Sequence, residues 1–317
     1  MKPLFRVISL VFVGAFSPLF AQAESSSTTL LQQMEQASQS LNYQLSFINV
    51  SRFGIESMRY RHASANGKVY AQLLQLDGPR REIIQRGKEI SYFEPGLEPF
   101  SLAGDHIIDS LPSLVYADFT KLARSYNYIA VGRTRVADHF CEVIRIVARD
   151  GTRYGYIVWI DSESKLPLRA DLVDGDGETL EQYRVVDLDI SDALFQQMQG
   201  LDNSKLPPVI SVPGSDKASF DWQVQWLPDG VKEVAQSRRL VPALNKGVES
   251  RLYSDGLFSF SVNVSLADKN STTQLLRTGR RTVQSVVRNN IEITLVGEVP
   301  PTTAKRIVDN VILRNSP

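Results

Sequence analysis

The chain is poor in the residues that build catalytic and metal centres. Cys141 is the one cysteine in 317 residues, so an internal disulfide is excluded, and so is a cluster of thiolate ligands. In a segment that reads as strand, Phe140-Cys141-Glu142-Val143-Ile144, Cys141 is expected to serve as a small buried apolar residue. Three histidines, His62, His106 and His139, are too scattered for a metal site of short ligand spacing, and structural or surface roles are expected for them. His-Glu-x-x-His, Gly-x-Ser-x-Gly and the phosphate-loop pattern are all missing, so an exported hydrolase lacks its nucleophile and base. Fixed-period repeats and low-complexity tracts are missing too. Charge of one sign is not in excess, with 35 basic and 35 acidic residues. That balance argues against a nucleic-acid partner. Beyond the first residues no stretch approaches the ~18 apolar residues that a spanning helix needs.

What is present begins with an export signal. Lys2 and Arg6 precede an apolar run from Leu4 to Phe16. Ala21-Gln22-Ala23 then offers small residues at the positions a signal peptidase reads. Ser9, Ser17 and Pro18 interrupt the run, so an anchor is disfavoured, and no cysteine follows the cut. Cleavage after Ala23 and a soluble periplasmic protein are the expectation. The charge is divided unevenly along the mature chain. Glu24 to Lys217 carries 20 basic and 26 acidic residues, net −6, and Ala218 to Pro317 carries 13 and 9, net +4. The basic part can meet an acidic partner, an anionic lipid or the acidic part of the same chain.

The periodicity predicts one helix over Thr29–Leu41, with Leu30, Leu31, Met34, Ala37, Ser38 and Leu41 on one face. Strand character follows over 43–50, 57–62, 69–76, 81–85, 89–93, 128–136, 141–149, 154–161, 168–173 and 179–189. Asn66-Gly67, Asp77-Gly78-Pro79, Arg86-Gly87, Asp150-Gly151 and Asp174-Gly175-Asp176-Gly177 punctuate these runs as turns. Asp174 to Glu178 lacks the further ligands of a calcium loop and reads as a hairpin turn. This spacing specifies an antiparallel meander, with a second helix over Leu111–Ser125. A single large sheet covered by two helices must curl into an open half-barrel. Residues 201–219, with Pro207-Pro208 and Pro213-Gly214, read as a linker or a lone edge segment. Residues 220–317 read as a smaller α+β domain, with hairpins at Asp255-Gly256 and Asn289-Asn290 and a terminal helix from Ala304 to Val311. The expected division is therefore 1–23 signal, 24–200 large domain, 201–219 linker and 220–317 small domain.

Two candidate sites emerge. Arg277, Arg280 and Arg281, with Arg288 nearby, crowd guanidinium groups beside a strand, and guanidinium pairs bidentately with carboxylate or phosphate. A solvated strand face is the plain alternative. Tyr60, Tyr70, Tyr92, Tyr156 and Trp159 fall on strands of the curled sheet, where an apolar concave face makes a pocket for an acyl chain. Simple core packing is the alternative there. No cofactor is called for.

Several segments resemble a known family. They are Gln75-Leu76-Asp77-Gly78-Pro79-Arg80-Arg81-Glu82, Ile90-Ser91-Tyr92-Phe93-Glu94-Pro95-Gly96, Val131-Gly132-Arg133-Thr134-Arg135-Val136-Ala137-Asp138 and Tyr156-Ile157-Val158-Trp159-Ile160-Asp161. Arg251-Leu252-Tyr253-Ser254-Asp255-Gly256-Leu257-Phe258 and Arg277-Thr278-Gly279-Arg280-Arg281-Thr282 complete the set. They resemble the RseB/MucB family over essentially the whole mature chain. The resemblance implies a LolA/LolB-like half-barrel, helices on its concave side, and a small α+β domain. It further implies negative regulation of the sigma-E envelope-stress response. Such a protein binds the periplasmic domain of the anti-sigma factor RseA, shields it from the protease DegS, and is displaced by lipopolysaccharide or related lipid. It brings no catalytic residues. A periplasmic lipid or lipoprotein carrier is the competing reading, and a homodimer is left open. Arg277, Arg280 and Arg281 are the residues expected to hold the partner.

Overall fold

The structure is a computed structural model and describes residues 19–210, 220–241 and 246–313. The core of the expected signal peptide, the second half of the expected linker and Arg314 lie outside the described residues. Helix α1 (Leu19–Ser40) leads into β1 (Tyr43–Ser51), β2 (Gly54–Ala65), β3 (Lys68–Gln75), β4 (Glu82–Arg86), β5 (Glu89–Phe93) and β6 (Phe100–Ala103). A short helix α2 (Phe119–Leu122) follows, then β7 (Tyr126–Val136), β8 (His139–Ala148), β9 (Gly155–Asp161), β10 (Pro167–Val173), β11 (Thr179–Ile190) and α3 (Ala193–Met198). All eleven strands form one antiparallel sheet, ordered β6-β5-β4-β3-β2-β1-β11-β10-β9-β8-β7. Two meanders thus run outward from the central pair of β1 and β11, whose register runs from Tyr43 opposite Ile190 to Ser51 opposite Glu181.

Alternation along each strand decides which side becomes core. Tyr43, Leu45 and Phe47 of β1, Met58 and Tyr60 of β2, and Tyr156, Val158 and Ile160 of β9 all point inward and are buried. The α1 face of Leu30, Leu31, Met34 and Ala37 closes over them. The turns follow the sequence where two adjacent residues take positive φ, as at Asn66-Gly67 (53° and 74°) and Asn289-Asn290 (49° and 63°).

The second helix departs from expectation. A 3₁₀ turn spans Ser113–Tyr116, and α2 is a single turn, because Ala117 is extended and Asp118 caps a new start by accepting from Lys121 N–H. Pro207 to Ile210, in the segment read as a linker or a lone edge segment, runs beside the edge strand β6. There Val209 bridges Ser101, and Ile210 donates to the Ser101 carbonyl at 2.8 Å.

The smaller region holds β12 (Trp222–Val224), β13 (Lys232–Val241), β14 (Lys246–Ser254), β15 (Ser259–Leu266), β16 (Gln274–Thr278), β17 (Arg281–Arg288), β18 (Ile291–Gly297), α4 (Pro301–Asp309) and β19 (Val311–Leu313). Its six-stranded sheet is ordered β13-β14-β15-β18-β17-β16, and β12 pairs β19 separately. Pro301 opens α4 at its first position, where a missing N–H costs nothing. Ala304, Ile307 and Val308 then join Phe260, Val262, Ile293 and Leu295 in a second core.

Candidate functional site

The two regions meet at the hairpin between β14 and β15. Asp255 organises its tip: one carboxylate oxygen accepts from the N–H groups of Leu257 and Phe258, both at 2.9 Å. That turn drives Leu257 and Phe258 into the core of the large sheet. The Phe258 ring stacks on Tyr156 at 5.7 Å between centroids, 9° from parallel. Ser113 Oγ donates to the Leu257 carbonyl at 2.9 Å.

The other oxygen of Asp255 faces Arg153, and both side chains are 1% exposed. Arg153 Nη1 donates to Asp255 at 2.8 Å and to the Asp229 carbonyl at 2.7 Å, and Tyr126 OH donates to the same Asp255 oxygen at 2.6 Å. The guanidinium lies over the Tyr126 ring at 4.8 Å. Burial pulls the Arg153 pKa down, but Tyr126 and Asp255 outweigh it and the net direction is up. Burial first, then Asp255, pushes the Tyr126 phenol well above its ordinary value. Thr303 Oγ1 to the Thr152 carbonyl (2.6 Å) and Tyr154 OH to the Val299 carbonyl (3.2 Å) extend the seam.

Part of the expected arginine cluster belongs to this seam. Arg277 pairs with Asp174 at 3.2 Å and lies over Tyr154. Arg280 pairs with Glu298 at 3.2 Å and with Glu181 at 3.5 Å. Arg281 is exposed. Two of the three guanidinium groups are thus engaged by carboxylates of the same chain, and Asp174 and Glu181 come from the large sheet. Desolvation raises the pKa values of Glu181 and Glu298, with Arg280 opposing.

The expected lipid-pocket residues divide between the two faces of the sheet. Tyr60, Tyr92 and Tyr156 are on the inner side. Tyr70 and Trp159 are not, because one step along a strand reverses the face. Tyr70 packs outside against Leu194 and Met198 of α3 and donates to Asp202 at 2.8 Å. Trp159 lies outside under Arg169, 4.1 Å from guanidinium carbon to ring centroid. The inner tyrosines are part of a filled core. A cavity of about 200 Å³ lies beside Tyr156, lined by Asn49, Glu56, Glu181, Tyr183 and Arg280 among others, and it adjoins a wider cleft of about 840 Å³ at Arg52, Glu178, Arg277 and Gly279. Burial pushes the Tyr156 phenol up to about 12. Sequence reasoning missed Arg153, Tyr126 and Asp229. Asp150-Gly151, Asp229-Gly230 and Asp255-Gly256 were visible as turns and no more. No group of metal-ligating side chains occurs among the described residues, and none of their helices is long and apolar enough to cross a membrane.

Comparison with known proteins explains this two-part build. Residues 26–210 match the MucB/RseB N-terminal domain, and residues 216–312 match the MucB/RseB C-terminal domain. The chain belongs to the MucB/RseB family. It is 60% identical to the sigma-E factor regulatory protein RseB of Salmonella typhimurium over 315 residues, 99% of each chain. To the RseB of Escherichia coli K12 it is 60% identical over 312 residues, 98% of each. Among solved structures, MucB in complex with MucA(peri) superposes with a TM-score of 0.72 at 26% identity, covering 92% of this chain and all of that one. The Pseudomonas aeruginosa MucA/MucB complex gives 0.73 at 23% identity with the same coverage. In this chain that family's fold is a curled antiparallel sheet with helices on its concave side, joined to a second sheet through the hairpin that carries Leu257 and Phe258.

Proposed function

We propose that this chain is a periplasmic negative regulator of the sigma-E envelope-stress response. It binds the periplasmic domain of the anti-sigma factor RseA and keeps that domain from DegS. The observation that carries this is the 60% identity over 99% of both chains to a sigma-E factor regulatory protein. A MucB structure holding MucA(peri) supports the mode of action, binding a partner protein. In this reading the protein is exported after cleavage at Ala23, is not an enzyme, and divides at 201–219 into a large and a small domain. Arg281, with Arg277 and Arg280 once freed from their carboxylates, remains the small domain's proposed contribution to the partner site.

Lipopolysaccharide or a related lipid is the proposed release signal. The cavity beside Tyr156, about 200 Å³, is below the ~300–1,000 Å³ usual even for a small-molecule site, and the cleft of about 840 Å³ next to it is lined by Arg52, Glu178, Glu181 and Arg277 and by none of the inner tyrosines. Lipid entry therefore requires the inner face to open. This counts against a constitutive lipid carrier and suits a sensor whose closed state holds the partner. The test is calorimetry with the RseA periplasmic domain, followed by DegS cleavage of that domain. Binding, slowed cleavage and restored cleavage on adding lipopolysaccharide are expected. Absence of binding would overturn the regulator reading, and lipopolysaccharide without effect would overturn the release signal alone.

A further inference from the structure

The outer face of the large sheet is covered on one half only. α3 roofs β2 and β3, where Tyr70 and Ala63 pack on Leu194 and Met198. No helix of the described residues packs over β8 to β11 on that side. The register there aligns outward side chains across the strands. One row runs Ile48, Arg184, Arg169, Trp159, Val143, and the next runs Ile55, Val50, Gln182, Asp171, Ile157, Arg145, Ile129.

Three arginines stand in these two rows with a tryptophan and exposed isoleucines. Ile55 is 66% and Ile129 48% exposed. Arg169 is held flat on Trp159 by Asp171, which accepts from its Nε at 2.9 Å. Arg145 and Arg184 are exposed, and neither has a carboxylate, hydrogen-bond or ring partner among the described residues. Arg80, Arg81, Arg86, Arg153, Arg238, Arg251, Arg277, Arg280 and Arg288 are ion-paired, whereas Arg145 and Arg184, like exposed Arg281, have no carboxylate partner among the described residues. Farther along the face, Asp187 and Asp189 share rows with Arg59 and Arg61 and offset their charge. Around Trp159 the acidic groups are Asp171 and, two residues along the strand, Asp161, which Ser164 and His139 engage; set against Arg145, Arg169 and Arg184 they leave that patch net positive on a stretch of chain whose net charge is −6.

We propose that the outer face of β8 to β11, centred on Trp159 with Arg145, Arg169 and Arg184, docks an acidic segment of a partner protein. Guanidinium forks match carboxylates in pairs, and arginine and tryptophan on an apolar floor are the usual composition of an energetically dominant contact. Asp171 restrains Arg169, so that group is already ordered before the partner arrives, and less entropy is lost on binding. The surface deepens the partner-binding reading above and rests on it in part.

Arg145→Glu/Arg184→Glu tests it, since both side chains are solvated and the fold does not need them. Trp159→Ala is the second variant, and thermal unfolding shows that each is folded. The first probe is a fluorescein-labelled peptide alternating Glu with Val, and a Lys–Val peptide is its control. The wild type binds the acidic peptide, and the double variant loses roughly ten-fold or more with a flatter salt dependence. Peptide binding that is absent, or the same in the wild type and both variants, overturns the surface. So does loss of binding to phosphatidylglycerol vesicles in the double variant while the peptide is unaffected, which would make the face a membrane surface. The second probe is the RseA periplasmic domain. If it fails to bind even the wild type, the regulator reading falls and the peptide still decides the surface. If the double variant weakens both probes, the surface holds that partner. If it weakens only the peptide, the surface serves another acidic protein.

Discussion

Arg153 and Arg184 belong to the same eleven-stranded half of the molecule, in opposite surroundings. Arg153 is 1% exposed and gives hydrogen bonds to Asp255 and to the Asp229 carbonyl across the seam. Arg184 is solvated on the outer face with no carboxylate among the described residues. Taking a charge out of water is worthwhile only when its partners are fixed, so the first arginine has a single geometry and a structural duty. A solvated guanidinium keeps its hydration and its freedom, and contributes nothing until a partner supplies the carboxylate. The same side chain therefore fixes the fold in one place and offers a contact in the other.

The comparison breaks first, and with the largest effect, at Asp255. Asp255→Ala takes from buried Arg153 its closest carboxylate, leaving Asp150 at 3.1 Å, and orphans the Tyr126 hydroxyl, which costs up to about 3–5 kcal/mol. It also removes the acceptor that shapes the Leu257–Phe258 turn. Calorimetric unfolding should show a large fall in midpoint. An unchanged midpoint would mean that the seam is not closed in solution. Gly230→Ala is the next step down. Gly230 has φ of +81°, and a Cβ there would fall on Ser125 Oγ across the seam. The left-handed backbone alone costs about 1–2 kcal/mol in a residue with a side chain, and Ser125→Ala in the same chain should relieve the added overlap and no more.

A smaller effect separates buried from solvated charge by pH. Glu298 holds its proton more readily in the folded chain than at its ordinary value of 4.5, because burial disfavours the carboxylate more than Arg280 restores it. A raised folded-state pKa adds stability that is complete below the unfolded value and is lost as pH rises through the folded value. Glu298→Gln removes that contribution. The gain in unfolding free energy on going from pH 7 to pH 4.5 should therefore be smaller in the variant than in the parent, as read from denaturant titrations at the two pH values. An unaltered difference would place Glu298 in solvent.

How much of this was legible follows from which interactions are local. Asn66-Gly67 and Asn289-Asn290 are visible because two neighbouring residues carry the whole turn. The turn at Ala137-Asp138, with φ of 47° and 67°, carries no glycine or asparagine and gave no such signal. Five aromatics pooled from several strands did not share a face, since Tyr70 and Trp159 are out of step with Tyr60, Tyr92 and Tyr156, and alternation applied strand by strand would have separated them. The arginine cluster was visible as a cluster. Beside the nearby Glu298, its carboxylates are Asp174 and Glu181 of the large region, about a hundred residues away, and no pattern within a window joins those two to it. The seam was least legible for the same reason: Tyr126, Arg153, Asp229 and Asp255 come together only once two sheets have formed.

The smallest expected effect is the one that sharpens the comparison most. Arg145→Ala and Arg184→Ala remove exposed side chains that touch no charged partner. Substitutions of this kind fall within about 0.5 kcal/mol of the parent. Truncation also relieves repulsion between neighbouring guanidinium groups, so the sign should be neutral or slightly stabilising. Denaturant midpoints for the pair should match the parent while Asp255→Ala drops far below it. If instead the outer-face pair proved as costly as the seam, Arg145 and Arg184 would be holding the sheet itself, and a surface kept open for an acidic partner would be the wrong description of that face.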